Sequence, residues 1–202
     1  MDVYFVRHGE TDGNVARRHQ HQDTELNELG KEQAQSLVDF VTNLKSTQVI
    51  TSTNLRAVET TRILISGCED IIPITHSAFE EIKKPSWLIG NRYISFVTAW
   101  YIWRWFFGMN IKGDGEDYEG FLQRIIEARN YLENLPPDSR VIVVSHSVFI
   151  NLFLEHLCSD KKISVWWAFV RLLKILLMKN AVVTHLQYQN NSPKCGWRVV
   201  EN

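Results

Sequence analysis

The residues that suggest chemistry come in three places, each directly after a short apolar run. Arg7, His8 and Gly9 follow Val3 to Val6, Arg56 comes shortly after Gln48 to Thr51, and His146 follows Val141 to Val144. Taken singly, each has an ordinary reading: an arginine is usually solvated, and a lone histidine is usually a satisfied structural group. Taken together, two guanidinium and two imidazole groups at the ends of three strands call for an anion. A phosphoryl group suits the set, because planar guanidinium groups hold its oxygens bidentately and helix N-termini add backbone donors.

The elements that must bring these residues together are short β-branched strands followed by helical patterns, the alternation of an α/β chain. In open α/β sheets ligands bind outside the carboxyl ends of the strands, so residues far apart in sequence converge on one crevice. After the second run a helix is expected from Ser52 or Thr53 as N-cap, through Leu55, Val58, Glu59, Arg62 and Ile63. After Ser147 another uses Ile150, Phe153, Leu154 and Leu157. A helix from Asn27 or Glu28 to about Leu44 is expected to turn Leu29, Ala34, Leu37, Phe40 and Val41 inward, with Gly30 a mild break. A further helix runs from Asp117 to Leu135, before Pro136 and Pro137. A weaker strand spans Ile71 to Thr75, and a last one, from about Ala181 to Tyr188, is expected to close the sheet edge.

Length and composition narrow the classes. The 202 residues fit one domain, and a hydrophobic share of 45% with 22% charged residues is that of a globular protein. With 22 basic and 23 acidic side chains there is no global positive excess, which argues against nucleic acid as a partner. Cys68, Cys158 and Cys195 are odd in number and widely spaced, which suits neither a disulfide framework nor a zinc site, so a reducing cytoplasm is expected. No signal peptide is visible at Met1 to Tyr4. The apolar stretches Ile94 to Phe107 and Val165 to Met178 are interrupted by Arg104 and by Arg171 and Lys174. Each is shorter than a spanning helix, so no membrane partner is expected.

The run Arg7, His8, Gly9, Glu10, Thr11 resembles the signature of the histidine phosphatase superfamily, which includes the cofactor-dependent phosphoglycerate mutases. The resemblance continues through Asn14, through Thr24 to Gly30, through Ser52 to Glu59 with Arg56 and Ala57, and through Val143 to His146. It implies a phosphoglycerate mutase-like fold: a three-layer α/β/α sandwich with a mostly parallel central sheet. A helical cap insertion at about 82–115 is expected within a single domain covering 1–202. It further implies that His8 is the nucleophile that becomes phosphorylated, with Arg7, Arg56 and His146 clamping the phosphoryl oxygens. Asn14 is an expected extra donor, with Thr11 and Ser147 beside it. The proton for the departing oxygen comes, by the same resemblance, from a Glu two residues after an apolar one. That points to Glu81 in Phe79, Glu80, Glu81, with Glu80 as the alternative.

Two features stand outside the pattern. Family members usually follow the second histidine with glycine, whereas here Ser147 follows His146, either crowding the pocket or capping the helix. His19 and His21 sit among Gln20, Gln22 and Asp23 and read as a solvated polar loop rather than a metal pair. His76, His156 and His185 read as structural. No metal and no cofactor is implied.

Between the expected acid and the next helix the chain is unusually aromatic. Tyr93, Phe96, Val97, Trp100, Trp103, Phe106 and Phe107 recur at helical spacing, with Tyr101 and Trp105 at the sides. The plainer reading is a buried cap helix packing on Trp166, Trp167 and Phe169. The alternatives are a wall for a bulky leaving group or a homodimer contact. Lys83, Lys84, Arg92 and Arg104 are candidates for a second anionic group, though long basic side chains also simply reach for water. Asp114 to Tyr118 resembles the loop that opens the penultimate helix in small phosphatases of the family. The expected partner is thus a small phosphorylated substrate and the expected reaction hydrolysis. A phosphoglycerate mutase and a catalytically silent phosphate-binding member are the rivals.

Overall fold

Alternation along the strands sets the layers. In this computed structural model, which describes residues 1–68, 71–111, 113–190 and 195–200, six strands form one sheet. They are β1 (Asp2–Arg7), β2 (Gln48–Thr51), β3 (Ile74–Thr75), β4 (Arg140–Ser145), β5 (Val183–Tyr188) and β6 (Trp197–Val200), in the order β3-β2-β4-β1-β5-β6. The first four in that order run parallel, while β5 is antiparallel to β1 and β6 to β5. The helices are α1 (Asp12–Val15), α2 (Glu28–Gln35), α3 (Val38–Leu44), α4 (Leu55–Leu64), α5 (Phe96–Phe106), α6 (Tyr118–Glu133), α7 (Ser147–Glu155) and α8 (Val165–Leu177). Side chains 165, 166, 169, 172, 173 and 176 lie outside the described part, so the expected packing on Trp166 and Phe169 does too.

Successive strand residues face opposite layers. Phe5, Ile50, Val141 and Val143 pack with Phe121 and Ile125 of α6 and Phe149 and Phe153 of α7. Val6, Val49, Ile142 and Val144 pack instead with Val41 of α3 and Ala57 and Leu64 of α4. The result is the three-layer sandwich with a mostly parallel sheet.

Several local expectations are corrected. β5 does not close the sheet, because β6 pairs outside it; four residues carry too little alternation to announce a strand. The helix expected over 27–44 is two helices, with Leu37 between them as the N-cap of α3. That break turns the helical face, leaving Leu29 and Phe40 exposed while Ala34 and Val41 stay buried. Asn54, not Ser52 or Thr53, is the N-cap of α4, and His146, not Ser147, that of α7. Cys158 and Cys195 form a disulfide, against the expectation from their spacing; it joins the end of α7 to the start of β6. The expectation of a reducing compartment, which rested on unpaired cysteines, loses that support.

The shared motifs hold the backbone together beneath the site. The Asn27 side chain accepts from Gly30 N and donates to Glu10 Oε1, and Leu26 N donates to Glu59 Oε2. Gly30 is more than a mild break, because a Cβ there would stand 2.1 Å from Glu10 O, and one on Gly9 would stand 2.3 Å from Gly30 O. Both neighbours are backbone and cannot swing aside. We expect Gly30→Ala to destabilise the protein by about 1–3 kcal/mol, the usual range for overpacking. Chemical denaturation checks this, and an unchanged midpoint would mean that the two segments part freely.

Candidate active site

The parallel neighbours β2, β4 and β1 deliver the site from their carboxyl ends. His8 follows β1 and extends its ladder, its N–H donating to Ser145 O at 3.0 Å. Its Nδ1 lies 2.7 Å from Gly9 O, and Arg56 Nε donates to its Nε2 at 3.3 Å. A carbonyl only accepts and an arginine N–H only donates, so both bonds hold in the neutral tautomer with the proton on Nδ1. Nε2 then carries the lone pair. Burial first, and then Arg56 and Arg7, push the His8 pKa well below its usual value.

Arg56 lies in the first turn of α4, 5% exposed, with Nη1 donating to His21 O at 3.0 Å. Burial lowers its pKa to about 10. Arg7 is 8% exposed; Nη1 donates to Met178 O, and its buried Nε has no partner among the described residues. His146 is wholly buried, its ring 5.1 Å from that of His8, with Nε2 2.8 Å from Ser52 Oγ. Its pKa is also held well below normal, by burial first and then by Arg56.

The carboxylate that answers this cluster is Glu81, the strongest Coulombic support for the protonated forms of Arg7, Arg56 and Lys84. Its oxygens accept from Ile82 N at 3.1 Å and, at the start of α7, from Val148 N at 3.4 Å. Glu80 is held elsewhere, by the Thr53 hydroxyl and by Lys83 Nζ at 3.7 Å. The backbone that presents both is pinned by buried Arg124 of α6, which donates to Glu80 O at 2.7 Å and Glu81 O at 3.2 Å. Arg124 pairs with Glu116, and Glu116 Oε1 also accepts from Lys83 N at 2.7 Å. These two positioning residues were not singled out by type or spacing.

A cavity of about 290 Å³ opens at Arg56 and Glu81, with Gln20, His21, Lys83 and Lys84 also in its wall. His8, Arg7 and His146 are not in the wall; Arg56, which donates to His8, stands between His8 and the cavity. Lys84 makes no hydrogen bond or ion pair among the described residues, and burial lowers its pKa. Arg92 and Arg104 are absent from the wall.

Other expected residues divide. Asn14 Oδ1 accepts from Asn180 Nδ2 at 3.2 Å, and the same Asn180 donates to His8 O. Asn180 carried no signal in the sequence. Thr11 is fully buried as the N-cap of α1, with Asn14 and Gln20 against its hydroxyl, so it shapes the loop rather than facing the cavity. Ser147 begins α7, 9% exposed. His19 is not solvated: it is 8% exposed, with Nε2 3.0 Å from Thr98 Oγ1 and its ring edge-on to Tyr93, and burial lowers its pKa to about 3. His21 is exposed and faces Asp23 at 3.2 Å. His76, His156 and His185 bond Ala78 N, Tyr118 and Asp2 respectively.

Residues 3–199 match the histidine phosphatase superfamily (branch 1), and the chain belongs to that family. It is 28% identical over 210 residues to the probable phosphoglycerate mutase GpmB of Proteus mirabilis, covering 100% of this chain and 91% of that one. In fold it resembles a putative alpha-ribazole-5'-P phosphatase from Escherichia coli, with a TM-score of 0.77 at 19% identity over 100% of this chain and 97% of that one. It also resembles a mycobacterial glucosyl-3-phosphoglycerate phosphatase in complex with VO3, at a TM-score of 0.70 and 23% identity over 98% and 96% of the two chains.

The depressed histidines give a pH dependence. His8, His19 and His146 bind a proton less readily folded than unfolded, so below the unfolded value near 6.5 proton uptake favours the unfolded chain. Their contribution is intact above that pH and is lost on acidification. For His19 the loss continues towards about pH 3. Each contributes up to about 1.4 kcal/mol per pH unit. Denaturation midpoints should therefore fall between pH 7 and 5, and His19→Gln should flatten the slope; an equal slope in the variant would refute its share.

Proposed function

We propose that this member of the superfamily is a metal-independent phosphatase that hydrolyses small phosphomonoesters through a phosphohistidine on His8. The observation that carries the reading is the His8 ring itself, with its Nδ1 proton held by Gly9 O and its Nε2 lone pair aimed at a guanidinium. Where Arg56 Nε now donates to Nε2, a bound phosphoryl group would take that donor instead, bringing phosphorus to the lone pair.

Nε2 of His8 attacks phosphorus, and the bond to the ester oxygen breaks. Arg7, Arg56 and His146 hold the equatorial oxygens, where preorganised charge shielded from water is most effective. Asn14 adds a donor, and Ser147 lies at the edge of the set. Glu81, protonated from solvent once the phosphoryl dianion replaces it as counter-charge to the arginines, gives that proton to the leaving oxygen, then takes one from the water that attacks the phosphoimidazole, releasing inorganic phosphate and free His8. We place substrate selection in the segment 82–115, with the Lys84 ammonium available for a second negative group.

The test is hydrolysis of an aryl phosphate in chelator, with acid-quench trapping of labelled protein. Turnover with an acid-labile label that vanishes in His8→Ala is expected; full activity in that variant would sink the reading. A stable label without turnover, relieved by a phosphoglycerate acceptor, would favour the mutase named among the relatives.

Two finer outcomes follow from the geometry. Glu81→Gln should slow alkyl esters at least about tenfold more than activated aryl esters, which depart without a proton; equal losses would move the role to Glu80. Lys84→Met should raise KM for esters with a second anionic group by about tenfold and spare simple aryl phosphate. An unchanged ratio would remove Lys84 from substrate selection.

A further inference from the structure

The near-zero net charge hides a division. Residues 82–113 contain five Lys or Arg and no Asp or Glu, and residues 161–190 contain another five with none. Ten of the 22 basic side chains thus lie in two segments that hold none of the 23 acidic ones, and these segments contain α5 and α8. They meet at Lys162, whose Nζ bonds Phe106 O and stands 4.6 Å from the centre of that ring.

α5 buries one face and leaves the other bare. Tyr101, Trp105 and Phe106 enter the core, while Phe96 is 86% exposed, Trp103 56% and Trp100 45%. Phe96, Trp100, Trp103 and Phe107 follow at helical intervals, so they form a single stripe. The Trp103 and Phe107 rings lie 4.4 Å apart, tilted by 44°, and Arg104 lies 4.9 Å over Trp100. No α5 residue lines the cavity at Arg56 and Glu81. On α8, Trp167 is 53% and Leu177 80% exposed, with Lys174 beside them in solvent.

We infer that this face docks on the surface of an anionic bilayer, with the α5 aromatics in the headgroup region and Arg104 and Lys174 against lipid phosphates. Exposed aromatic rings with Arg104 and Lys174 beside them are the chemistry of helices that lie in an interface, whereas Lys83, Lys84 and Arg171 answer Glu80, Glu81 and Glu155 and take no part. A second copy of the chain fits less well, since a two-fold contact would set Arg104 and Lys174 of one copy against the same cationic face of another. The expectation of no membrane partner rested on span length, which does not bear on a face lying along a surface; among the described residues no helix is long and apolar enough to cross. The inference is independent of the proposed reaction.

The test is sedimentation of the full chain with vesicles of equal parts phosphatidylcholine and phosphatidylglycerol, against phosphatidylcholine alone. Binding is expected only with the anionic vesicles, declining as salt is raised. Phe96→Glu with Trp103→Glu should reduce partitioning at least about tenfold while leaving the unfolding midpoint unchanged. Three results would overturn the inference: binding that the double variant retains; no binding together with a dimer that the variant dissociates; and no binding by a monomer, which would leave the face to an acidic protein. Should the double variant not fold, Arg104→Glu replaces it under the same criteria.

Discussion

Two guanidinium groups and two imidazoles are withdrawn from water at the carboxyl end of the sheet, and Glu81 is the carboxylate that chiefly answers them. Burying like charge is unfavourable, and much of the surrounding structure bears the cost. The imidazoles respond by staying neutral, the arginines by donating to Met178 O and His21 O. A dianion entering this space meets donors already stripped of solvent. Those donors are preorganised for charge before any anion arrives.

The framework that maintains this tension is backbone more than side chain. Gly9 and Gly30 approach so closely that neither admits a methyl group, and Asn27, Glu10 and Glu59 tie the same segments. On the far side, Arg124 and Glu116 hold the Glu80–Glu81 backbone from α6. The resemblance over Thr24 to Gly30 and Ser52 to Glu59 therefore includes residues that serve geometry and do not touch a phosphate.

The main strands and the cationic cluster were legible because period-two burial and charged residues at strand ends are local signals. Strand β6, the division at Leu37 and the pairing of Cys158 with Cys195 were not, since each depends on what a segment meets in space. His19 shows the same limit: its polar neighbours Gln20 and Gln22 describe a loop, yet Thr98 and Tyr93, some eighty residues away, enclose its ring. For α5 the spacing grouped Phe106 with Phe96, Trp100, Trp103 and Phe107, yet the core took Phe106 along with Tyr101 and Trp105, because an aromatic helix is apolar all round and its sequence does not say which side is buried.

The sheet finishes at both sides in its shorter strands. β3 has two residues and β6 four, whereas the central β1 and β4 have six each. An edge strand is a template for pairing with another chain, and its grip grows with the number of free amide and carbonyl groups in register. Edges this brief give a neighbouring molecule little to zip onto. Polymerisation through these edges is thereby discouraged at the protein concentrations met inside or around a cell.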